Sequence, residues 1–270
     1  MIEFDGVTYT YPGAEVPAVA DLTFALASGE WLAVVGANGS GKSTLARLVN
    51  GLLVPASGHV TVDGMDTADG ALVWDVRRRV GLVLQNPDNQ IVGAFVEEDV
   101  AFGPENLGVP RAELRERVDA SLAVVGLTGL EHREPHLLSE GQKQRLAIAG
   151  ALAMCPAYLV FDEATAMLDL DGRASVLGVM EQLHGSGTGV LQVTHDLADA
   201  LRADRVLALS GGRVAYLGPL AGLLADADLL EALGLAAPAL FVMATELGMS
   251  AAPGALLVSA EDLVEALWRS

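Results

Sequence analysis

An α/β fold with a helical insertion and a short helical extension is what this sequence predicts. Three observations predict it. Apolar runs of strand length at 31–35, 80–84, 157–161 and 190–193 read as buried strands. The first of them runs into Gly36-Ala37-Asn38-Gly39-Ser40-Gly41-Lys42-Ser43-Thr44, which fits G-x-x-x-x-G-K-[ST], the phosphate-binding loop. Residues of about 86 to 150, and again those past Gly218-Pro219, carry helical rather than strand patterns.

The loop chemistry requires these residue types. Gly36, Gly39 and Gly41 let the backbone turn tightly and bring its N–H groups, including those of Asn38 and Ser40, toward phosphate oxygens. Lys42 reaches the β- and γ-phosphates as a point charge, and the Ser43 hydroxyl suits Mg²⁺. Leu45, Leu48, Val49 and Leu52 then recur at helical spacing, so a helix start faces the phosphates beside Thr44. The loop alone says nucleoside triphosphate and no more.

The chain has 270 residues, suiting one large domain or a domain with an appendage, and is 51% hydrophobic, enough for a sizeable core. No apolar stretch is long enough to span a bilayer, and Met1-Ile2-Glu3-Phe4-Asp5 does not read as a signal peptide. The lone Cys155 reads as a small core residue beside a buried strand; with the other features it points to the cytosol. The formal net charge is −19, and the lysines, Lys42 and Lys143, both lie in motifs. Such a chain repels nucleic acid, so no nucleic-acid partner is expected. The acidity serves either solubility, as in a salty cytoplasm, or docking of a basic partner.

In chain order, Val7, Tyr9 and Tyr11 alternate as a strand, as do Leu22, Phe24 and Leu26, with a turn at Tyr11-Pro12-Gly13. Tyr11 is either a base-stacking ring or a core or edge-strand tyrosine. Gly58 to Met65 reads as strand and turn, with His59 structural, and Arg77 to Arg79 as a solvated face or helix end. Val80 to Leu84 is a strand ending at Gln85. Asn86-Pro87-Asp88-Asn89-Gln90 is a polar loop of the kind that carries function, and Arg111 to Val125 a helix. Ser139 with Gln142 fits a capping box opening another helix, whose start, including Gly141, favours an anion. Ala157 to Phe161 is a buried strand ending in Asp162-Glu163. There Asp162 suits a water-mediated hold on Mg²⁺ and Glu163 the polarising of an attacking water. Val190 to Val193 ends at Thr194-His195-Asp196, where His195 either reaches a γ-phosphate or is an ordinary loop histidine. Arg205 to Leu217 reads as a hairpin. Leu220 to Leu233, Ala239 to Leu247 and Ala260 to Trp268, capped by Ser259, read as helices. An apolar helical tail cannot bury itself, so it packs on the core or on a partner.

Taken together, these pieces resemble the ATPase subunits of ABC transporters over residues of about 3 to 218. The resemblance implies an ABC-type nucleotide-binding domain: a RecA-like core, an antiparallel β subdomain and a helical signature subdomain, with residues 219–270 as a helical extension. It implies ATP and Mg²⁺ as ligands. Gly36 to Thr44 resembles Walker A, Tyr158 to Asp162 Walker B with Glu163 as catalytic glutamate, and Leu138 to Gln142 the LSGGQ signature. Gln85 falls at the Q-loop glutamine that holds Mg²⁺, Ala166-Met167-Leu168-Asp169 at the D-loop, His195 at the switch histidine, and Tyr11 at the base-stacking tyrosine.

Gln85 to Val92, Val96 to Gly103, Asp162 to Asp169 and the tail are similar to the ATPases of energy-coupling factor transporters, which import vitamins or transition-metal ions. That resemblance implies a second ATPase subunit, the same or paralogous, beneath a membrane-embedded coupling subunit that carries a substrate-binding protein. It places the chain peripherally at the cytoplasmic face of the cell membrane. Glu97, Glu98 and Asp99 lie where coupling-helix arginines are expected, and the tail resembles an extension that helps dimerisation. One departure is Glu140, where the signature usually has glycine while Ser139 and Gly141 are kept. Either Glu140 points outward, or its charge slows the site built with this signature. The rivals are a soluble ABC-type ATPase acting on DNA or ribosomes, a non-hydrolysing regulatory subunit, and an ordinary ABC importer ATPase. The acidic single cassette, the retained Glu163 and His195, and the Asn86 to Val92 stretch argue against them in turn.

Overall fold

The computed structural model describes residues 1–246. Strands β1 (Ile2–Tyr9), β2 (Val19–Leu26) and β3 (Trp31–Val35) come first, then helix α1 (Lys42–Val49). Next are β4 (Ser57–Val62), β5 (Met65–Asp66), α2 (Val73–Arg79) and β6 (Val80–Val83). Three helices follow, α3 (Val96–Asn106), α4 (Arg111–Val124) and α5 (Glu140–Leu152). Then come β7 (Tyr158–Asp162), α6 (Leu170–Gly185), β8 (Gly189–Val193), β9 (Arg205–Ser210) and β10 (Arg213–Gly218). The described part closes with α7 (Leu220–Leu224), α8 (Ala227–Leu233) and α9 (Ala239–Glu246).

Two sheets form. An antiparallel sheet has the order β2-β1-β4-β5, and a six-stranded sheet the order β10-β9-β3-β8-β7-β6. In the larger sheet β3 pairs in parallel with β8 and β9, β7 with β8 and β6, and β10 alone runs antiparallel. Every residue of β3, β7 and β8 is buried, as central parallel strands covered on both faces require. Leu32 and Val34 face the core shared with α1 and the antiparallel sheet, while Ala33 and Val35 face the core under α7 and α8. A third core joins Phe161, Leu159 and Val190 to α3, α4, α5 and α6. Trp31 is fully buried in it and donates Nε1–H to Gln192 Oε1 at 3.0 Å, meeting the demand of a buried indole.

Several expectations are corrected. Tyr11 lies beyond β1, because the chain turns at Pro12-Gly13 after the strand's last pair, Tyr9 with Val19. Leu220 to Leu233 is two helices, since the Asp226 side chain accepts from Leu229 N–H at 2.9 Å and starts α8 afresh. Cys155 is exposed, at φ +54 in the turn between α5 and β7, not in the core. The structure adds helix α6, whose buried stripe is Val176, Val179, Met180 and Leu183. Arg77 to Arg79 do end a helix, and Arg77 also donates to Gly51 O at 3.2 Å. His59 pairs with Asp66 at 2.9 Å on the solvent face of β4, a structural role. The expected helix from Ala239 is present as α9, whereas Leu247 and the helix from Ala260 to Trp268 with its cap Ser259 lie outside the described residues.

Candidate functional site

The phosphate loop leaves the carboxyl end of β3. Gly36 carries φ +150, and a Cβ there would stand 2.4 Å from Leu209 O. Gly41, at φ +102, sits at the N-cap of α1, where a Cβ would stand 2.4 Å from Ala18 O and 2.8 Å from Val19 Cγ1. The first turn of α1 holds no acidic residue and Gly41 supplies no side-chain cap, so its N–H groups are left to an anion. Ser40 Oγ is buried within the loop and has no hydrogen-bond partner. A buried, unpartnered hydroxyl in a glycine-rich loop of this kind fits a phosphate oxygen.

Lys42, 4% exposed, donates from Nζ to Gly36 O at 2.8 Å and Ala37 O at 3.0 Å, and stands 3.8 Å from Glu163 Oε1. Burial lowers its pKa, opposed by the charges of Glu163 and Asp162. Ser43 Oγ donates to Asp162 Oδ1 at 2.7 Å. A hydroxyl and a buried carboxylate set side by side are hard oxygen ligands, a donor set that fits Mg²⁺. Gln85 follows β6, the strand paired with β7, and is exposed.

Glu163 follows β7 at φ +52 and is anchored by its own N–H to Val193 O at 3.0 Å. This backbone turns its carboxylate between Lys42 and His195, whose Nδ1 is 3.6 Å from Glu163 Oε2. Lys42, Ser43, Asp162, Glu163 and His195 thus converge at the carboxyl ends of β3, β7 and β8, where parallel sheets bind ligands. Tyr11 joins them from the smaller sheet's side, its hydroxyl 3.2 Å from Thr44 Oγ1 and its ring edge-on to Tyr9.

Asp162 yields a prediction. Burial raises its pKa, opposed by the Ser43 hydrogen bond. A folded pKa above the unfolded one means stability that is present below the unfolded value and lost as pH rises through the folded value. The ionised carboxylate therefore costs stability at pH 7. Asp162→Asn keeps an acceptor for Ser43 and is expected to raise Tm in nucleotide-free thermal melts, by about 2–4 °C per kcal/mol relieved, while hydrolysis falls.

Ser139, Gly141 and Gln142 are not brought to this loop. Ser139 caps α5, with its Oγ accepting from Gln142 N–H at 3.3 Å and its own N–H donating to Gln142 Oε1 at 3.0 Å. Gly141 packs closely on Gly172 of α6. With Asp169 they line a separate cleft of about 550 Å³ containing no phosphate-loop residue. Glu140 is exposed and pairs with Lys143 at 3.0 Å, which also meets Asp88 at 3.0 Å, so its charge is met within its own helix turn. The hydrogen bonds that Lys143 donates to Asp88 and Glu140 raise its pKa.

Two residues gain roles here that the sequence does not assign. Gln90 accepts from Leu84 N–H at 3.1 Å and donates to Leu82 O at 3.2 Å and Ala147 O at 3.3 Å. Gln144 donates to Leu84 O at 3.0 Å. Both side chains occupy the open edge of β6 and tie it to α5. Asp99 corrects an expectation: it is buried, accepting from Val92 N–H at 2.7 Å and Gly93 N–H at 2.9 Å, so it cannot meet a partner's arginine. Glu97 is held by Arg115 at 2.8 Å and His132 at 2.8 Å, leaving Glu98 as the exposed acid of the three. Beside them a groove of about 900 Å³ opens between α2, β6, α3 and α5, with Trp74 and Phe102 exposed on its walls.

A family model described as "ABC transporter" matches residues 19–166. The energy-coupling factor transporter ATP-binding protein EcfA1 of Symbiobacterium thermophilum is 50% identical over 272 residues, covering 97% of this chain and 95% of that protein. The cobalt import ATP-binding protein CbiO of Syntrophus aciditrophicus is 46% identical, covering 88% and 85%. Among solved structures, cbiO1 of Clostridium perfringens, described as part of the ABC transporter complex cbiONQ, matches with TM-score 0.77 and 34% identity over 86% of this chain and 93% of that one. The dimeric ATP-binding cassette MJ0796, in a post-hydrolysis state bound to ADP and Pi, matches with TM-score 0.73 and 30% identity over 82% and 99%.

Proposed function

This chain belongs to the energy-coupling factor branch of the ABC transporter ATPases, and from that premise we propose how its residues power import of a vitamin or transition-metal ion. It binds ATP and is an ATPase that drives transport. The convergence of Lys42, Glu163 and His195 around one loop carries the mechanistic reading.

ATP seats its phosphates on the N–H groups of residues 37–43, and Tyr11 stacks on the base. Lys42 leaves the carbonyls of Gly36 and Ala37 for the β- and γ-phosphates. Ser43, Asp162 and Gln85 would hold Mg²⁺, which when bound neutralises charge on the β- and γ-phosphoryl oxygens. Glu163 accepts a proton from, or orients, the attacking water, and His195 donates a hydrogen bond to the γ-phosphate. Ser139 and Gly141 of a second ATPase subunit, a copy or a paralogue, complete the site, so ATP closes the pair and hydrolysis reopens it. The extension that begins at residue 219, of which α7 to α9 are described, is proposed to add to the contact between the two. The separate cleft of the signature residues supports this sharing, because one chain alone leaves them away from its own loop.

The apolar groove at Trp74 and Phe102 is where a helix of the membrane-embedded coupling subunit docks, holding the chain peripherally at the cytoplasmic face. No helix among the described residues is long and apolar enough to cross a membrane. The test is co-purification with the membrane subunits. Phe102→Asp is expected to weaken that association at least about tenfold while leaving ATP binding by the isolated chain unchanged. Undiminished co-purification would remove the groove from the reading.

A further inference from the structure

A buried cluster that the mechanism above does not use joins the loops after β7 and β8. Asp199, 3% exposed, lies just beyond His195. Its Oδ1 accepts from Arg173 Nε at 2.6 Å, and its Oδ2 from Thr165 Oγ1 at 2.6 Å. The same guanidinium donates through Nη2 to Asp196 Oδ2 at 2.5 Å. Asp196 adjoins His195 and is itself fixed, its N–H donating to Thr194 Oγ1 at 3.1 Å and its Oδ1 accepting from Ala198 N–H at 2.8 Å. One planar fork therefore grips the histidine loop at two points, and through Asp199 reaches Thr165, two residues past Glu163.

Arg173 stands in the first turn of α6, whose N-cap Asp169 accepts from Gly172 N–H at 2.8 Å. The other side of that turn lines the cleft shared with Ser139 and Gly141. The turn thus has one side toward the surface that a second subunit would meet and the other tied to His195. An arginine suits this place, because its rigid fork spans two carboxylates that a single ammonium cannot hold in the same geometry.

We propose that Arg173 is a positioning residue for ATP hydrolysis, locking the His195 loop to the first turn of α6 so that contact at residues 165–172 and placement of the histidine are one event. This rests on the function proposed above. Arg173 touches no reacting atom in this scheme, so its loss acts on the chemical step and not on nucleotide affinity.

The test compares Arg173→Lys, which keeps a positive charge beside buried Asp199, with Arg173→Gln in the full chain, by thermal melting, ATP titration and single-turnover hydrolysis. Both variants are expected to bind ATP within about threefold of the parent, with hydrolysis falling about tenfold in Arg173→Lys and further in Arg173→Gln. In a His195→Ala background, adding Arg173→Lys is expected to change the rate by less than about twofold, because the arginine acts through the histidine. A folded Arg173→Lys chain with the parental rate, or a full loss repeated in the His195→Ala background, would overturn the proposal. Glu163→Gln measured alongside separates the two readings: parental turnover there sinks the mechanism itself, whereas loss in Glu163→Gln but not in Arg173→Lys sinks the positioning role alone.

Discussion

Glu163→Gln is expected to cut ATP turnover by about 10²- to 10⁴-fold, the range of a lost general base, while ATP still binds. The glutamine is nearly isosteric and meets the same backbone demand at φ +52, so the loop between β7 and α6 keeps its shape. What disappears is the carboxylate set 3.8 Å from Lys42 and 3.6 Å from His195. That carboxylate is the group here that can take a proton from water beside the phosphate loop. Removing its charge also removes repulsion toward a γ-phosphate, so ATP affinity holds or rises. Calorimetric titration and phosphate release on the same sample check both halves. Turnover within about twofold of the parent would transfer the base role to another residue.

Gly41→Ala is expected to damage both the fold and ATP binding, although it adds a single methyl group. The new Cβ would stand 2.4 Å from a backbone oxygen, Ala18 O, in a conformation of φ +102 that L residues rarely adopt. Neither neighbour is the flexible end of a long side chain, so β2's entry or the start of α1 must shift. The expected cost is about 3–5 kcal/mol, with ATP affinity falling more than about tenfold because the α1 N–H groups lose their aim. Gly64→Ala is the control. It has φ +80 with nothing within 4 Å of the added methyl, so it isolates conformational strain of about 1–2 kcal/mol. Denaturant melts and ATP titration of the pair separate the clash from the strain. Equal losses in the two variants would mean that close packing under the loop does not matter.

What the sequence made legible follows from how local each signal is. The phosphate loop is nine consecutive residues between an apolar run and a helical stripe, so motif and context are read together. Asp162 and Glu163 were legible because they end a run that must be a buried strand. The capping box at Ser139 and Gln142 is equally local, and both of its hydrogen bonds are present. By contrast, Gln90, Gln144 and Arg173 gain their roles from partners far along the chain, such as Ala147, Leu84 and Asp199. Nothing in a glutamine or arginine announces such a partner. With Glu97 and Glu98, Asp99 lies where a partner's arginines are expected, yet helical rotation turns it inward onto the N–H groups of Val92 and Gly93. Cys155 was misplaced because its neighbours are apolar, whereas its positive φ lifts it out of the core. The break at Asp226 was readable in principle, since an aspartate inside a leucine-rich run is a helix-start signal.

In the proposed mechanism the hydrolytic site is shared between two cassettes, each loop of Gly36 to Thr44 facing the Ser139 to Gln142 turn of the other. Sedimentation of the Glu163→Gln chain with Mg-ATP, against Mg-ADP, tests it most directly, alone and mixed with any related cassette that co-purifies with the chain. A two-cassette particle is expected to appear with Mg-ATP and dissolve with Mg-ADP, formed by two copies or by this chain and a related cassette. A particle that binds ATP stoichiometrically yet stays at one cassette in every mixture would contradict it.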